Sequence, residues 1–106
     1  MRFLMMSMAN DSQPDEKLFA EMAAFIDEMT VSGVLLATGG LEPSGVRMTS
    51  VGDEITVTDG PFAESKESVA GFALVEVRTK EEAIEMCRRF RKIVGDGVSV
   101  IQQVFA

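Results

Sequence analysis

Thr58-Asp59-Gly60-Pro61-Phe62-Ala63-Glu64-Ser65-Lys66-Glu67 divides the chain just past its middle. Asp-Gly-Pro is a strong turn signal: Asp hydrogen-bonds nearby amides, Gly permits φ > 0, and Pro fixes its own φ. On the N-terminal side, Val46–Val51 and Glu54–Thr58 read as two strands joined at Gly52-Asp53, where a leading Gly suits a type II′ hairpin. Ile55 and Val57 alternate with Glu54, Thr56 and Thr58, the pattern of a strand with one wet face. On the C-terminal side, Val69–Val77 reads as a long central strand. Phe72 and Leu74 point one way, and Ala73, Val75 and Val77 the other. Gly71 within it marks a bulge or the close approach of another backbone.

Working outward, Arg2–Met8 reads as the first strand; Asn10, Asp11, Gln13 and Asp15 stop its apolar run well short of a signal peptide. Ser12 or Gln13 is placed to cap a helix with Pro14 near its first turn. Leu18, Met22, Phe25, Ile26 and Met29 then recur at helical spacing from about Asp15 to Thr30, and Gly33 ends the helix. Val34–Thr38 is a short strand, and Gly39 to Gly45 reads as a flexible loop. Thr79-Lys80-Glu81-Glu82 is a capping box. It opens a helix with the stripe Ala83, Met86, Cys87, Phe90, Ile93 and Val94 and with Gly95 at its end. Val98–Phe105 is the last strand. The order β-α-β, hairpin, β-α-β predicts a ferredoxin-like α+β sandwich with an added hairpin, as one domain over residues 1–106. Two helices cover one sheet face. The other face keeps large apolar side chains, and a second copy of the chain is the simplest cover, so a homodimer with sheets face to face is expected.

Composition narrows the chemistry. The 106 residues carry a net charge of −7, which argues against nucleic acid or an anionic membrane as partner. No run approaches the ~18 apolar residues of a membrane span. One cysteine, Cys87, allows no internal disulfide and suits a reducing cytoplasm. There is no histidine, which removes Ser-His-Asp and Cys-His pairs and every His-metal motif. No nucleotide-cradle spacing is present, so neither a metal nor a cofactor is expected.

Polar chemistry then falls to the dividing stretch. Asp59, at a strand end beside Phe62, is the candidate general acid or base, unless its carboxylate serves only its own turn. Glu64 and Lys66 follow; Lys66 is placed to meet a carboxylate or phenolate, or else sits among surface ion pairs. Arg47 on the hairpin either pairs with an anionic ligand or faces solvent. Cys87, on an apolar stripe, reads as inert packing. The cluster Arg88, Arg89, Arg91 and Lys92 suits a helix C-terminal half.

The run Val57 to Glu67, with Gly71-Phe72, Val75-Glu76-Val77 and the upstream Ser32-Gly33-Val34-Leu35 and Gly39-Gly40-Leu41-Glu42-Pro43, resembles the DGPF branch of the YCII-related proteins, mostly uncharacterised small bacterial proteins. The resemblance implies a ferredoxin-like domain that forms a dimeric α/β barrel. The wider family includes a dehydrochlorinase acting on a chlorinated hydroxyquinone. A His-Asp pair is the implied catalytic unit of the YCII branch, and half of it cannot exist here. Two functions are therefore expected as alternatives. One is binding of a small anionic or cyclic molecule with cofactor-independent acid/base chemistry at Asp59, using Arg47, Phe62, Glu64 and Lys66. The other is a non-catalytic ligand-binding, interaction or regulatory module.

Overall fold

The computed structural model describes residues 1–9, 15–60 and 68–105. Six strands and two helices follow in the order β1 (Arg2–Met8), α1 (Glu16–Val31), β2 (Leu35–Gly40), β3 (Val46–Val51), β4 (Glu54–Asp59), β5 (Val69–Glu76), α2 (Lys80–Val94) and β6 (Ser99–Val104). Four of them form one antiparallel sheet, β2-β5-β1-β6, with β5 and β1 in the centre. This is the strand order of two interleaved β-α-β halves, the ferredoxin-like α+β arrangement expected. Among the described residues the sheet stays open, with no closed barrel. Among the described residues β3 and β4 pair only with each other and form a second, two-stranded sheet.

The helices sit where their stripes require. In α1, Leu18, Met22, Phe25, Ile26 and Met29 are the residues withdrawn from solvent, and in α2 Ala83 and Cys87 are buried. The core joins Phe3 and Val75, which are partners across β1 and β5, to Val77 and Ala83. Met5, Val34, Leu35, Met86 and Ile101 pack around them. Register places Leu4 opposite Leu74 and Met6 opposite both Phe72 and Val100. Alternation then puts these five side chains on the sheet face that carries no helix.

Three local expectations are corrected. The cap of α1 is Asp15, whose carboxylate accepts the Leu18 N–H at 2.8 Å. An Asp one residue before the helix reaches that third amide directly; Ser12, Gln13 and Pro14 lie outside the described residues. Gly39 and Gly40 belong to β2, not to a loop. A Cβ on Gly39 would stand 3.2 Å from the Phe72 ring, so glycine there lets the aromatic lie across the strand. Gly71 fills the same need, since a Cβ on it would meet the Gly39 carbonyl at 3.3 Å. In the capping box of α2, the Thr79 hydroxyl accepts the Glu82 N–H at 3.2 Å, but the Glu82 carboxylate accepts from Arg78 N, one residue earlier than the motif predicts.

Candidate functional site

The base of the β3–β4 hairpin holds the one predicted acid. Gly52, at φ +58, reverses the chain between Val51 and Glu54, as the leading Gly of a II′ turn must. From there the ladder runs Val51↔Glu54, Ser50↔Ile55, Thr49↔Thr56, Met48↔Val57, Arg47↔Thr58 and Val46↔Asp59. Gly60 N–H donates to the Gly45 carbonyl at 2.8 Å and closes the base just beyond Asp59.

Directly paired residues in an antiparallel ladder share a face, and successive residues alternate. One face therefore carries Val46, Met48, Ile55, Val57 and, at its end, Asp59. The other carries Arg47, Thr49, Glu54, Thr56 and Thr58. Asp59 is exposed, and among the described residues its carboxylate makes no hydrogen bond or ion pair. The turn that follows it, from Pro61 on, lies outside the described residues. Arg47 is also exposed but leaves the opposite face, so one hairpin does not bring the two together. Phe62, Glu64 and Lys66 lie outside the described residues. Both faces of the hairpin are wet, contrary to the one-wet-face reading of Ile55 and Val57. Its alternation is that of a covered strand, but among the described residues no layer lies beneath it.

A carboxylate that composition and spacing did not single out stands nearby. Glu42 Oε1 is 3.8 Å from where a Cβ on Gly45 would be, beside the residue that closes the hairpin base. The Glu42-Pro43-Ser44-Gly45 turn is the only sequence signal for it.

An open cleft of about 430 Å³ lies elsewhere, over the α1–α2 side of the molecule. Met29, Val34, Val77 and Met86 line its apolar part; Glu81, Glu82, Glu85 and Arg89 supply its charges. Arg89 is held there by Glu28 at 2.6 Å and by the Phe25 ring at 4.9 Å. Neither Asp59 nor Arg47 lines this cleft. Glu81, Glu85 and Arg89, four residues apart along one helix, were its legible signal. Among the described residues no cluster of three or more His, Cys, Asp or Glu is arranged to hold a metal ion. Among them, too, no helix is long and apolar enough to cross a membrane.

Comparison with known proteins gives a family and a fold. The family profile described as the YCII-related domain matches residues 1–105. An uncharacterised protein of Rhizobium meliloti is 33% identical over 79 residues, covering 72% of this chain and 63% of the relative. The match thus spans less than two thirds of that relative's length. Among solved structures, the 5-chloro-2-hydroxyhydroquinone dehydrochlorinase of Burkholderia phenoliruptrix, in complex with 2,5-dihydroxybenzoquinone, superposes with a TM-score of 0.54 at 13% identity. The superposition covers 99% of this chain and 94% of that one. At that identity the likeness is one of fold.

Proposed function

The chain belongs to the YCII-related domain family, and on that premise we propose that it works as a homodimer that binds a small anionic or cyclic organic molecule beside Asp59. Asp59 moves a proton without a cofactor, and Lys66 holds the negative charge that develops on the ligand. Phe62 and Glu64 belong to the wall of the same pocket. Arg47 joins that site only from a second copy, because its own hairpin turns it away from Asp59. The two copies meet through their uncovered sheet faces, giving the dimeric barrel that one open sheet cannot make.

The observation that carries this reading is a carboxylate with no described partner at the end of an apolar strip. A carboxylate that no described residue engages is available to a ligand. A cation nearby would stabilise enolate-like charge. The dehydrochlorinase of similar fold is bound to 2,5-dihydroxybenzoquinone, a cyclic acidic molecule, which supports that ligand class here.

The test is hydrogen–deuterium exchange at the ring carbons of 2,5-dihydroxybenzoquinone, followed by NMR with and without protein. We expect acceleration by the protein and a loss of about 10²-fold or more in Asp59→Asn, the scale of general acid/base catalysis. Acceleration that survives in Asp59→Asn removes Asp59 from the chemistry. Binding without acceleration assigns the non-catalytic reading, which the exposure of Asp59 in a single chain favours.

A further inference from the structure

We propose that the β3–β4 hairpin is an arm that packs its apolar face on a second copy of this chain, an interface additional to the uncovered sheet face. Val46, Met48, Ile55 and Val57 share that face and are 59%, 66%, 63% and 59% exposed. A two-stranded hairpin in water is marginal without a layer against it. This one has the alternation of a covered hairpin and no cover among the described residues. Four such side chains form a patch of a few hundred Å², the size of a typical monomer's largest and often functional apolar patch.

The size of the molecule says what covers it. The radius of gyration is 15.9 Å, against about 13 Å for a compact domain of this length. The chain exposes 7849 Å², where a folded monomer of its mass exposes roughly 5,800 Å². The excess, on the order of 2,000 Å², lies within the roughly 1,000–2,500 Å² that each partner of an obligate homodimer hides. A small ligand or a single added strand covers far less. The helix-free sheet face with Leu4, Met6, Phe72, Leu74 and Val100 is the other large apolar surface of the same molecule. A two-fold axis buries arm and face in both copies at once. Charge agrees. The chain is acidic overall, but among the described residues Asp59 at the base is the one acidic or basic side chain on the arm's apolar face, so two copies approach through weakly charged surfaces. The inference rests on the homodimer proposed above and adds that the Asp59 face is completed by the partner.

Sedimentation velocity of the full chain at micromolar concentration tests it. Met48→Lys/Val57→Lys places two cations on the apolar face, and Thr49→Lys/Thr56→Lys places the same charge on the opposite face. Both pairs are exposed in the single chain, so circular dichroism should show each variant folded. We expect a wild-type dimer, at least a 100-fold weaker dimer for Met48→Lys/Val57→Lys, and an intact dimer for Thr49→Lys/Thr56→Lys. A dimer unchanged in Met48→Lys/Val57→Lys overturns the arm while leaving the sheet-face dimer standing. Equal weakening by both variants overturns the assignment to the apolar face. A wild-type monomer overturns the arm and the dimer together. The quinone exchange assay then tells separately whether a ligand site survives.

Discussion

Arg47 and Asp59 stand one rung apart on the β3–β4 ladder, Arg47 opposite Thr58 and Asp59 opposite Val46, so their side chains leave opposite faces of the hairpin. Their roles are separable. Asp59 sits at the end of the apolar strip, and Arg47 lies among threonines. Any shared ligand must be gripped by two hairpins rather than one.

The first prediction follows from the state of Asp59. With no described intramolecular partner, Asp59→Ala should change the unfolding free energy by less than about 0.5 kcal/mol, the usual range for a surface site. The same variant should lose protein-dependent exchange on the quinone. Urea denaturation and NMR on one preparation check both. A large stability loss with exchange intact would make Asp59 a turn residue and nothing more.

Arg89 ties the two helices together. It meets Glu28 at 2.6 Å and lies over the Phe25 ring, with both charged side chains about half exposed. Solvent screening limits the ion pair to about 0–1 kcal/mol and the ring contact to about 0.5–1 kcal/mol. Glu28→Ala should therefore cost less than Arg89→Ala, which loses both contacts. A double-mutant cycle in urea should return a coupling below about 1 kcal/mol, and raising the salt should shrink it.

The elements were legible because each obeys its own period. The stripe of α1 was readable residue by residue, as was the alternation of β5 about Phe72 and Val75. The opposite placement of Arg47 and Asp59 was already implicit in Gly52-Asp53 as a two-residue loop, since counting back from it fixes every rung. Gly39-Gly40 misled because two glycines suggest a loop locally, whereas the deciding contact is the Phe72 ring 33 residues further along. The bare hairpin could not be read either. Alternation says which side wants cover but not whether the same chain supplies it. The reading of Phe62, Glu64 and Lys66 stands on the sequence alone, because they lie outside the described residues.

Gly39 and Gly71 should respond differently to alanine, although the two built Cβ contacts are almost equally close. At Gly39 the obstacle is the Phe72 ring, which is only half-buried and lies on the helix-free face, where it has room to shift. Losing backbone freedom in the unfolded chain gains about 0.4–1 kcal/mol, so Gly39→Ala should be close to neutral. At Gly71 the obstacle is the Gly39 carbonyl, part of the neighbouring strand. Relieving it means spreading β2 from β5, an overpacking cost of about 1–3 kcal/mol. Thermal unfolding of the pair should rank Gly71→Ala clearly below Gly39→Ala; the reverse order would mean the ring, not the backbone, is the rigid neighbour.

Phe3 and Val75 carry the last prediction. They face each other across β1 and β5 at 1% and 0% exposure and are the two largest side chains fully removed from solvent among the described residues. Phe3→Ala removes a ring from the centre of a small core and should cost about 3–5 kcal/mol. Set against the ~5–15 kcal/mol of a typical domain, that loss leaves a chain on the edge of unfolding. Val75→Ala, two methyl groups smaller, should cost less. If the chain is a dimer, association adds stability that grows with concentration. Phe3→Ala should then recover melting temperature as protein concentration rises from micromolar to hundreds of micromolar. Phe3→Ala combined with Met48→Lys/Val57→Lys should recover much less. A melting temperature of Phe3→Ala that ignores concentration would mean the core, and not the interface, sets the stability of the fold.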